Sequence, residues 1–298
     1  MSRRRPRACE VAATNATAPS SARRCAALSL TLVTVGVAAC SDGGREHVPW
    51  PEDMSVLISR KPPDYQGRAS FVRFINNAAA DVTVTRVELS SARFDDITWT
   101  GEETFDKAWD MTFDLPHGEC GADIETEVSI SYSTDDGPAR TTRTPVEDQY
   151  NSIRSTLDRD CAEATLREAA EIRVGKGRVE GRGQDSVYVL PLSFTPTGTR
   201  DDVTFRGIGE TVLFNHVAGS APDTAATKIA LGGDPVRVQA RLQPARCDLH
   251  GLMEGARGTY FPLLVEAPGL GAGGWFYLPL DNSDRGQMME YFSDRCGL

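Results

Sequence analysis

Two stretches of the chain alternate apolar and polar residues with a period of two. In "WDMTFDL", Trp109, Met111, Phe113 and Leu115 alternate with Asp110, Thr112 and Asp114; in "VRVQARL", Val236, Val238, Ala240 and Leu242 alternate with Arg237, Gln239 and Arg241. That period marks a strand with one face in a core and the other in water. In both stretches the last apolar residue lies five positions before a cysteine, Leu115 before Cys120 and Leu242 before Cys247, with Pro116 or Pro244 between. The two halves read as one unit written twice.

The correspondence extends in both directions. Upstream, a turn followed by Asp81-Val82-Thr83-Val84 matches one followed by Asp202-Val203-Thr204-Phe205; downstream, "EVSISY" and the hairpin-like "STDDGP" match "YFPLLVEAPG" and the glycine turn "LGAGG". Each half then closes on a polar segment ending in Asp-Arg and a cysteine, "RSTLDRDC" to Cys161 and "MEYFSDRC" to Cys296. The first closing segment predicts a helix capped by Thr144, with Pro145 in its first turn, Glu147 completing a capping box, and Val146, Tyr150, Ile153 and Leu157 on one face. In the second, Met288, Met289 and Phe292 supply the stripe, while Leu278 stands in place of the cap and Gly286 weakens the start. The intervening "AEATLREAAEIRVGKGRVEGRGQ" begins helix-like and turns into a Gly-Lys-Arg stretch with the composition of a mobile linker.

Strand-rich halves of this length predict sandwiches. "FINNAAADVTVTRVELSSARF" resembles the early strand pair of bacterial immunoglobulin-like domains, in which an asparagine-rich turn precedes a Val-Thr-rich strand and a closing aromatic, here Phe94. The resemblance implies an all-β fold of two tandem immunoglobulin-like β-sandwich domains, each with a short helix near its C-terminal cysteine, and implies no activity.

The start of the chain has a different character. Arg3, Arg4, Arg5, Arg7, Arg23 and Arg24 precede an uncharged run from Cys25 to Cys40 that ends in "VAAC". A basic flank and an apolar run shorter than a spanning helix form a signal peptide. The ending resembles a bacterial lipobox, which implies cleavage after Ala39 and a lipid on Cys40. The expected organisation is a signal peptide over 1–39, a tether over 40–54, a first β-sandwich repeat over 55–166, and a linker with a second repeat over 167–298.

Export changes the meaning of the cysteines. Cys9 and Cys25 leave with the leader and Cys40 is acylated, so Cys120, Cys161, Cys247 and Cys296 remain, and four cysteines outside the cytoplasm read as two disulfides. They allow three pairings that spacing alone does not separate. Pairing within repeats, Cys120 to Cys161 and Cys247 to Cys296, closes loops of comparable length and is the expectation, against free thiols or a crossed pairing. The leader carries six of the chain's 32 basic residues and one of its 42 acidic ones, leaving 26 against 41, a net charge of −15. Such a surface disfavours nucleic acid and anionic headgroups, so membrane attachment has to come from the lipid at Cys40.

Candidate chemistry is sparse. "GLGAGG" over 269–274 satisfies the dinucleotide fingerprint, but strand-like "WFYLPL" follows it where a helix is needed, so it reads as a hairpin turn. His117 and His250 lie near cysteines without paired thiolates at zinc spacing. His117 and His216 are the histidines left for general-base work, and no catalytic serine or zinc-protease motif accompanies them. The acid pairs Asp95-Asp96, Asp135-Asp136 and Asp201-Asp202 read as solvated turns, with calcium coordination as a minor alternative. Trp99, taken as an exposed aromatic on the polar loop "TGEETFDKA", is the one candidate for binding a sugar or a partner.

Taken together, these features lead to an expectation of an exported protein, anchored to the outer face of the cell membrane by lipid. It binds or scaffolds an envelope protein or glycan, without cofactor or metal and without catalysis. A solute-binding lipoprotein of a transporter is the second reading, which a helix-dominated circular dichroism spectrum would favour, and a cell-envelope hydrolase using His117, Asp135 or His216 is the third.

Overall fold

A computed structural model describes residues 48–61, 66–121, 124–135, 137–218, 227–229, 234–253, 255–270 and 273–298. The leader, Cys40, and the tether before residue 48 lie outside the described residues, as do Asp136 and two positions of the glycine turn. The described body is predominantly antiparallel β-sheet.

Its first seven strands are β1 (Met54–Arg60), β2 (Ala69–Asn76), β3 (Val82–Ser91), β4 (Phe94–Phe105), β5 (Ala108–Asp114), β6 (Thr126–Thr134) and β7 (Arg140–Pro145). They form two sheets, ordered β1-β2-β5 and β4-β3-β6-β7. Alternate residues Val72 and Phe74, Val82 and Val84, and Val128, Ile130 and Tyr132 are buried, and both sheets contribute to one hydrophobic core. The turn leaving β2 is set by buried Asn76. Its amide donates to the carbonyls of Ala80 and Asp106, and its Oδ1 accepts from the Ala78 N–H.

A second set follows: β8 (Ala170–Val174), β9 (Arg178–Glu180), β10 (Val187–Pro196), β11 (Val203–Ile208), β12 (Phe214–His216), β13 (Thr227–Ile229), β14 (Val236–Pro244), β15 (Pro262–Glu266) and β16 (Gly274–Tyr277). One sheet runs β8-β10-β14 with β12 beyond β14 and β9 beside β10; the other runs β13-β11-β15-β16. The order β8-β10-β14 repeats β1-β2-β5, and β13-β11-β15-β16 repeats β4-β3-β6-β7, so the internal repeat read in the sequence reappears in the strand connectivity. "WDMTFDL" and "VRVQARL" fall on the equivalent strands β5 and β14. The "GLGAGG" segment joins the antiparallel strands β15 and β16, in register from Val265 opposite Gly274 to Pro262 opposite Tyr277.

The helix α1 (Ser152–Ala169) corrects three expectations. It starts seven residues after Pro145, because the backbone before it is held extended. The Val146 N–H donates to the Thr126 carbonyl, the Ile58 N–H donates to the Glu147 carbonyl, and Glu147 bridges Leu57 of β1. Glu147 therefore completes no capping box, and Tyr150 is exposed. The orphan amides of Ser152, Ile153 and Arg154 instead donate to the carboxylate of Asp148 at 2.8–2.9 Å, behind Asn151 at φ 50°. At the other end, α1 does not stop at Cys161 but continues for two more turns and passes directly into β8. Thr197 at the end of β10 closes it, its N–H and hydroxyl donating to the carbonyls of Ala169 and Glu168.

The Gly-Lys-Arg stretch is not a loose linker either. Its β9 pairs with β10, Glu180 bonds both Arg178 and Arg241, and Gly177 lies so close over Tyr188 that a Cβ there would fall 2.0 Å from the phenol oxygen.

The short α2 (Leu249–Met253) and α3 (Gly255–Gly258) precede β15. The terminal helix α4 (Asn282–Cys296) has the capping box that sequence placed on α1: Asp281 accepts from the Asp284 N–H and Asp284 accepts from the Asp281 N–H. Gly297, at φ 68°, closes it in the left-handed region. Met288, Tyr291 and Phe292 enter the second core. Disulfides join Cys120 to Cys161 and Cys247 to Cys296, each within its own half. In chain-entropy terms, loops of this length contribute roughly 3–4 kcal/mol each.

The distribution of α1 is the main tertiary finding. Ile153 and Leu157 are buried in the first core, and Ala162, Leu166 and Ala169 in the second. Leu157→Ala and Leu166→Ala are each expected to cost about 2–4 kcal/mol. Because one helix serves both cores, differential scanning calorimetry should show each substitution lowering the same single transition; two separable transitions, each moved by one variant, would contradict the shared helix. Tyr188 supplies a second check. Burial pushes its phenol up to about 12, with the charge of Asp284 adding to the effect. The folded value lies above the ordinary tyrosine value of about 10, so the stability linked to it is complete below about pH 10 and is lost as pH rises toward 12. Burial also raises the Tyr291 phenol, so a phenolate absorbance titration of the native protein should show Tyr188 and Tyr291 ionising after the exposed tyrosines, and Tyr188→Phe should remove part of that late phase.

Candidate functional site

The segment "LDRDC" lies where α1 passes between the two cores, and each of its polar residues is used differently. Asp158 takes the guanidinium of Arg93, which is itself buried and also donates to the Glu119 carbonyl and the Cys161 Sγ. Asp160 accepts a two-pronged bond from Arg68, 2.9 Å to each oxygen, and a further bond from the Gly118 N–H at 2.8 Å. Arg68 also donates to the carbonyls of Leu115 and Pro116. These two ion pairs, with the Cys120–Cys161 bridge, clamp α1 to the first half.

Arg159 points the other way. Its guanidinium carbon lies 5.3 Å from the Trp275 ring centre and 5.2 Å from that of Tyr277, alternate residues on one face of β16. Its two hydrogen bonds go to hydroxyls, Ser155 Oγ and Thr156 Oγ1, and among the described residues it has no carboxylate partner. Burial pulls its pKa below the ordinary arginine value, partly countered by Tyr277 and Asp160 and reinforced by Arg60 and Arg68. A guanidinium nevertheless stays charged at neutral pH. The helix and β16 meet closely because residue 274 is glycine: a Cβ there would lie 2.8 Å from the Ala162 Cβ.

Two cavities flank this contact, with Arg159 in the wall of both. One of about 680 Å³ lies along α1 beside the glycine turn, lined among others by Arg93, Arg154, Asp158 and Trp275. A smaller one of about 210 Å³ lies beside Arg68, His117, Asp160 and Tyr277. The place where both halves contribute side chains is thus a cationic cleft on an acidic protein.

The residues singled out in the sequence lie mostly elsewhere. Trp99 is not on an exposed loop: "TGEET" continues β4, the Trp99 ring packs at 4.8 Å on Trp109, and a Cβ at Gly101 would approach it to 2.7 Å. The aromatic cluster it joins includes Phe74 and Phe105, so its ring is engaged with the core rather than offered to a ligand. His117 is exposed and stands 3.7 Å from Asp160 at the smaller cavity, whereas His216 sits on β12 with Nε2 against the Ile208 carbonyl and Nδ1 buried. His250 lies on α2. The structure does not gather the three into one site. Asp95 and Asp96 are exposed on β4, Asp135 occupies the turn after β6 at φ 45°, and Asp202 takes both prongs of Arg200. Among the described residues no group of three or more histidine, cysteine or acidic side chains is placed to hold a metal ion, and no helix is long and apolar enough to cross a membrane.

Sequence reasoning missed Arg159, Trp275 and Tyr277. The available signals were the repeated Asp-Arg before each closing cysteine and the alternation of aromatics in "GWFYLPL". Neither says that the arginine of the first half meets the strand of the second.

Comparison with family models and with curated proteins finds no match. Among solved structures the chain is similar to a red sea bream transglutaminase, at 14% identity over 73% of this chain and 29% of that one, with a TM-score of 0.23. It is also similar to Spo0M, a sporulation control protein from Bacillus subtilis, at 15% identity over 64% and 91% of the two chains (TM-score 0.21). A third similarity is to the exo-chitosanase CsxA of Amycolatopsis orientalis, at 10% identity over 76% and 26% (TM-score 0.20). Similarities this low transfer neither fold nor activity.

The clamp itself is testable through a contrast of two ion pairs. Asp160 is 13% exposed and, when Arg68 is removed, keeps one hydrogen bond, from the Gly118 amide, with exposed His117 at 3.7 Å, so Arg68→Ala should cost about 3 kcal/mol, as expected for a largely stranded buried charge. The Arg73–Asp110 pair is 45% and 33% exposed, and Arg73→Ala should cost less than about 1 kcal/mol. Urea denaturation midpoints of the two variants measure the difference.

Proposed function

We propose that this is a lipid-anchored extracytoplasmic binding or scaffolding module, built of two immunoglobulin-like sandwiches joined through a shared helix. The observation that carries the reading is the dual burial of α1. Fusing two sandwiches through one helix makes a body that holds two surfaces in a set relation, which suits presentation or bridging. The repeated order of three strands in one sheet and four in the other supports the sandwich pair, with the fourth strand joined to the third instead of the fifth. The basic leader, the apolar run and "VAAC" support the anchor at Cys40, and two disulfides suit an oxidising compartment.

Between this and the solute-binding reading, the antiparallel sheets favour the former, since a two-lobed solute-binding protein is built on parallel sheet with crossover helices.

The test is in-cell crosslinking of the full-length protein on its native membrane, with mass spectrometry of the captured species, alongside Cys40→Ser. Membrane retention that is lost in Cys40→Ser, together with reproducible capture of an envelope protein or glycan, is the expected result. Retention unchanged by Cys40→Ser would remove the anchor, and turnover of an envelope polymer by the purified protein would replace the binding role with a hydrolytic one.

A further inference from the structure

We propose that the larger cleft beside α1 is a binding site for an oxyanion, a carboxylate or phosphate group carried by a small ligand and gripped by Arg159 and Arg154. The inference names a ligand class for the binding module and in that sense rests on that reading.

Charge accounting is the first argument. The chain has a net charge of −10, yet among the described residues that line it this cleft brings three guanidinium groups, Arg93, Arg154 and Arg159, against one carboxylate, Asp158. Asp158 lies 3.2 Å from both terminal nitrogens of Arg93, so those two charges answer each other. The charges of Arg154 and Arg159 are left over. Arg154 is exposed, and among the described residues its side chain makes no ion pair; Arg159 bonds only the two hydroxyls.

Preorganisation is the second. Arg159 has five N–H donors and spends two on Ser155 and Thr156, while Trp275 and Tyr277 hold the guanidinium carbon from β16. A guanidinium already oriented and partly stripped of water grips a planar or tetrahedral oxyanion at little further entropic cost, and the bond is stronger for the lower local dielectric. The stripping is visible in the downward pull of burial on the Arg159 pKa. Size is the third argument: about 680 Å³ lies within the range of small-molecule sites.

Both halves are needed. The arginines come from α1 and the aromatic plate from β16, so a ligand here would sit across the seam and tighten it.

The experiment is isothermal titration of the full chain in neutral detergent, at about 50 mM salt to limit screening, with citrate, inorganic phosphate and neutral maltose as probes. Saturable one-to-one binding of citrate or phosphate and none of maltose is expected, with citrate against phosphate separating the carboxylate from the phosphate source. Arg159→Gln should weaken binding at least about tenfold and Arg154→Gln about threefold or more, whereas Arg73→Gln, on a distant exposed pair, should leave it unchanged. Arg154 is an exposed helix residue, so its variant decides the matter even if Arg159→Gln fails to fold.

No heat from either anion at about 10 mM, or affinity unchanged in Arg154→Gln and Arg159→Gln, would overturn the site. Anion binding lost while crosslinking still captures a partner would sink the site and spare the binding module; the reverse pattern would spare the site and sink the module.

Discussion

The structure depends on one helix that belongs to two hydrophobic cores. Ile153 and Leu157 fill the first, and Ala162, Leu166 and Ala169 fill the second, one to three turns further along the same rod. A tandem pair of sandwiches joined by a flexible linker could bend at the joint. Here bending would pull apolar side chains out of one core or the other, at roughly 1.5–3 kcal/mol for each large one exposed. The direct passage from α1 into β8, and the closure of the helix end by Thr197, remove the slack that a hinge would need.

The two closing segments show two different uses of the same motif. At the chain end, Tyr291 and Arg295 turn inward to the carbonyl of Ser186, Gln184 donates to the Arg295 carbonyl, and Cys296 closes onto Cys247. The terminal helix is thereby satisfied by residues of the second half. In the middle of the chain the acidic residues do the equivalent work, Asp158 and Asp160 taking Arg93 and Arg68, and Cys161 closes onto Cys120. The arginine between them is then released from that duty and reaches β16 in the second set of strands. The cleft on either side of Arg159 is a consequence of joining two repeats by a helix, since neither repeat contains both its cations and its aromatics.

The largely buried Arg68–Asp160 pair follows the same physics as the apolar contacts. Arg68 meets two carboxylate oxygens and two carbonyls, so little of its fork is left unsatisfied, and the Gly118 amide supplies Asp160 with a third hydrogen bond. Such completeness is what makes burial of charge tolerable. It also fixes where the 115–120 segment lies against α1, with Gly118 in a gap where a Cβ would touch Leu157 at 3.0 Å.

By itself the sequence determined whatever depends on neighbours along the chain. Period-two alternation placed β5 and β14, the matching runs before each cysteine exposed the repeat, and strand-like residues after "GLGAGG" marked a hairpin instead of a nucleotide loop. It misplaced the start of α1, because Thr144, Pro145 and Glu147 carry a local capping signal that the hydrogen bonds of Val146 and Glu147 to distant strands override. Trp99 differs for a related reason: a polar run looks like a loop until its pairing with β3 and the packing of the Trp109 ring give it a place. Tertiary structure alone decided the sharing of α1 and the meeting of Arg159 with Trp275 and Tyr277. Those contacts join residues more than a hundred positions apart, across two cores that local periodicity describes one at a time.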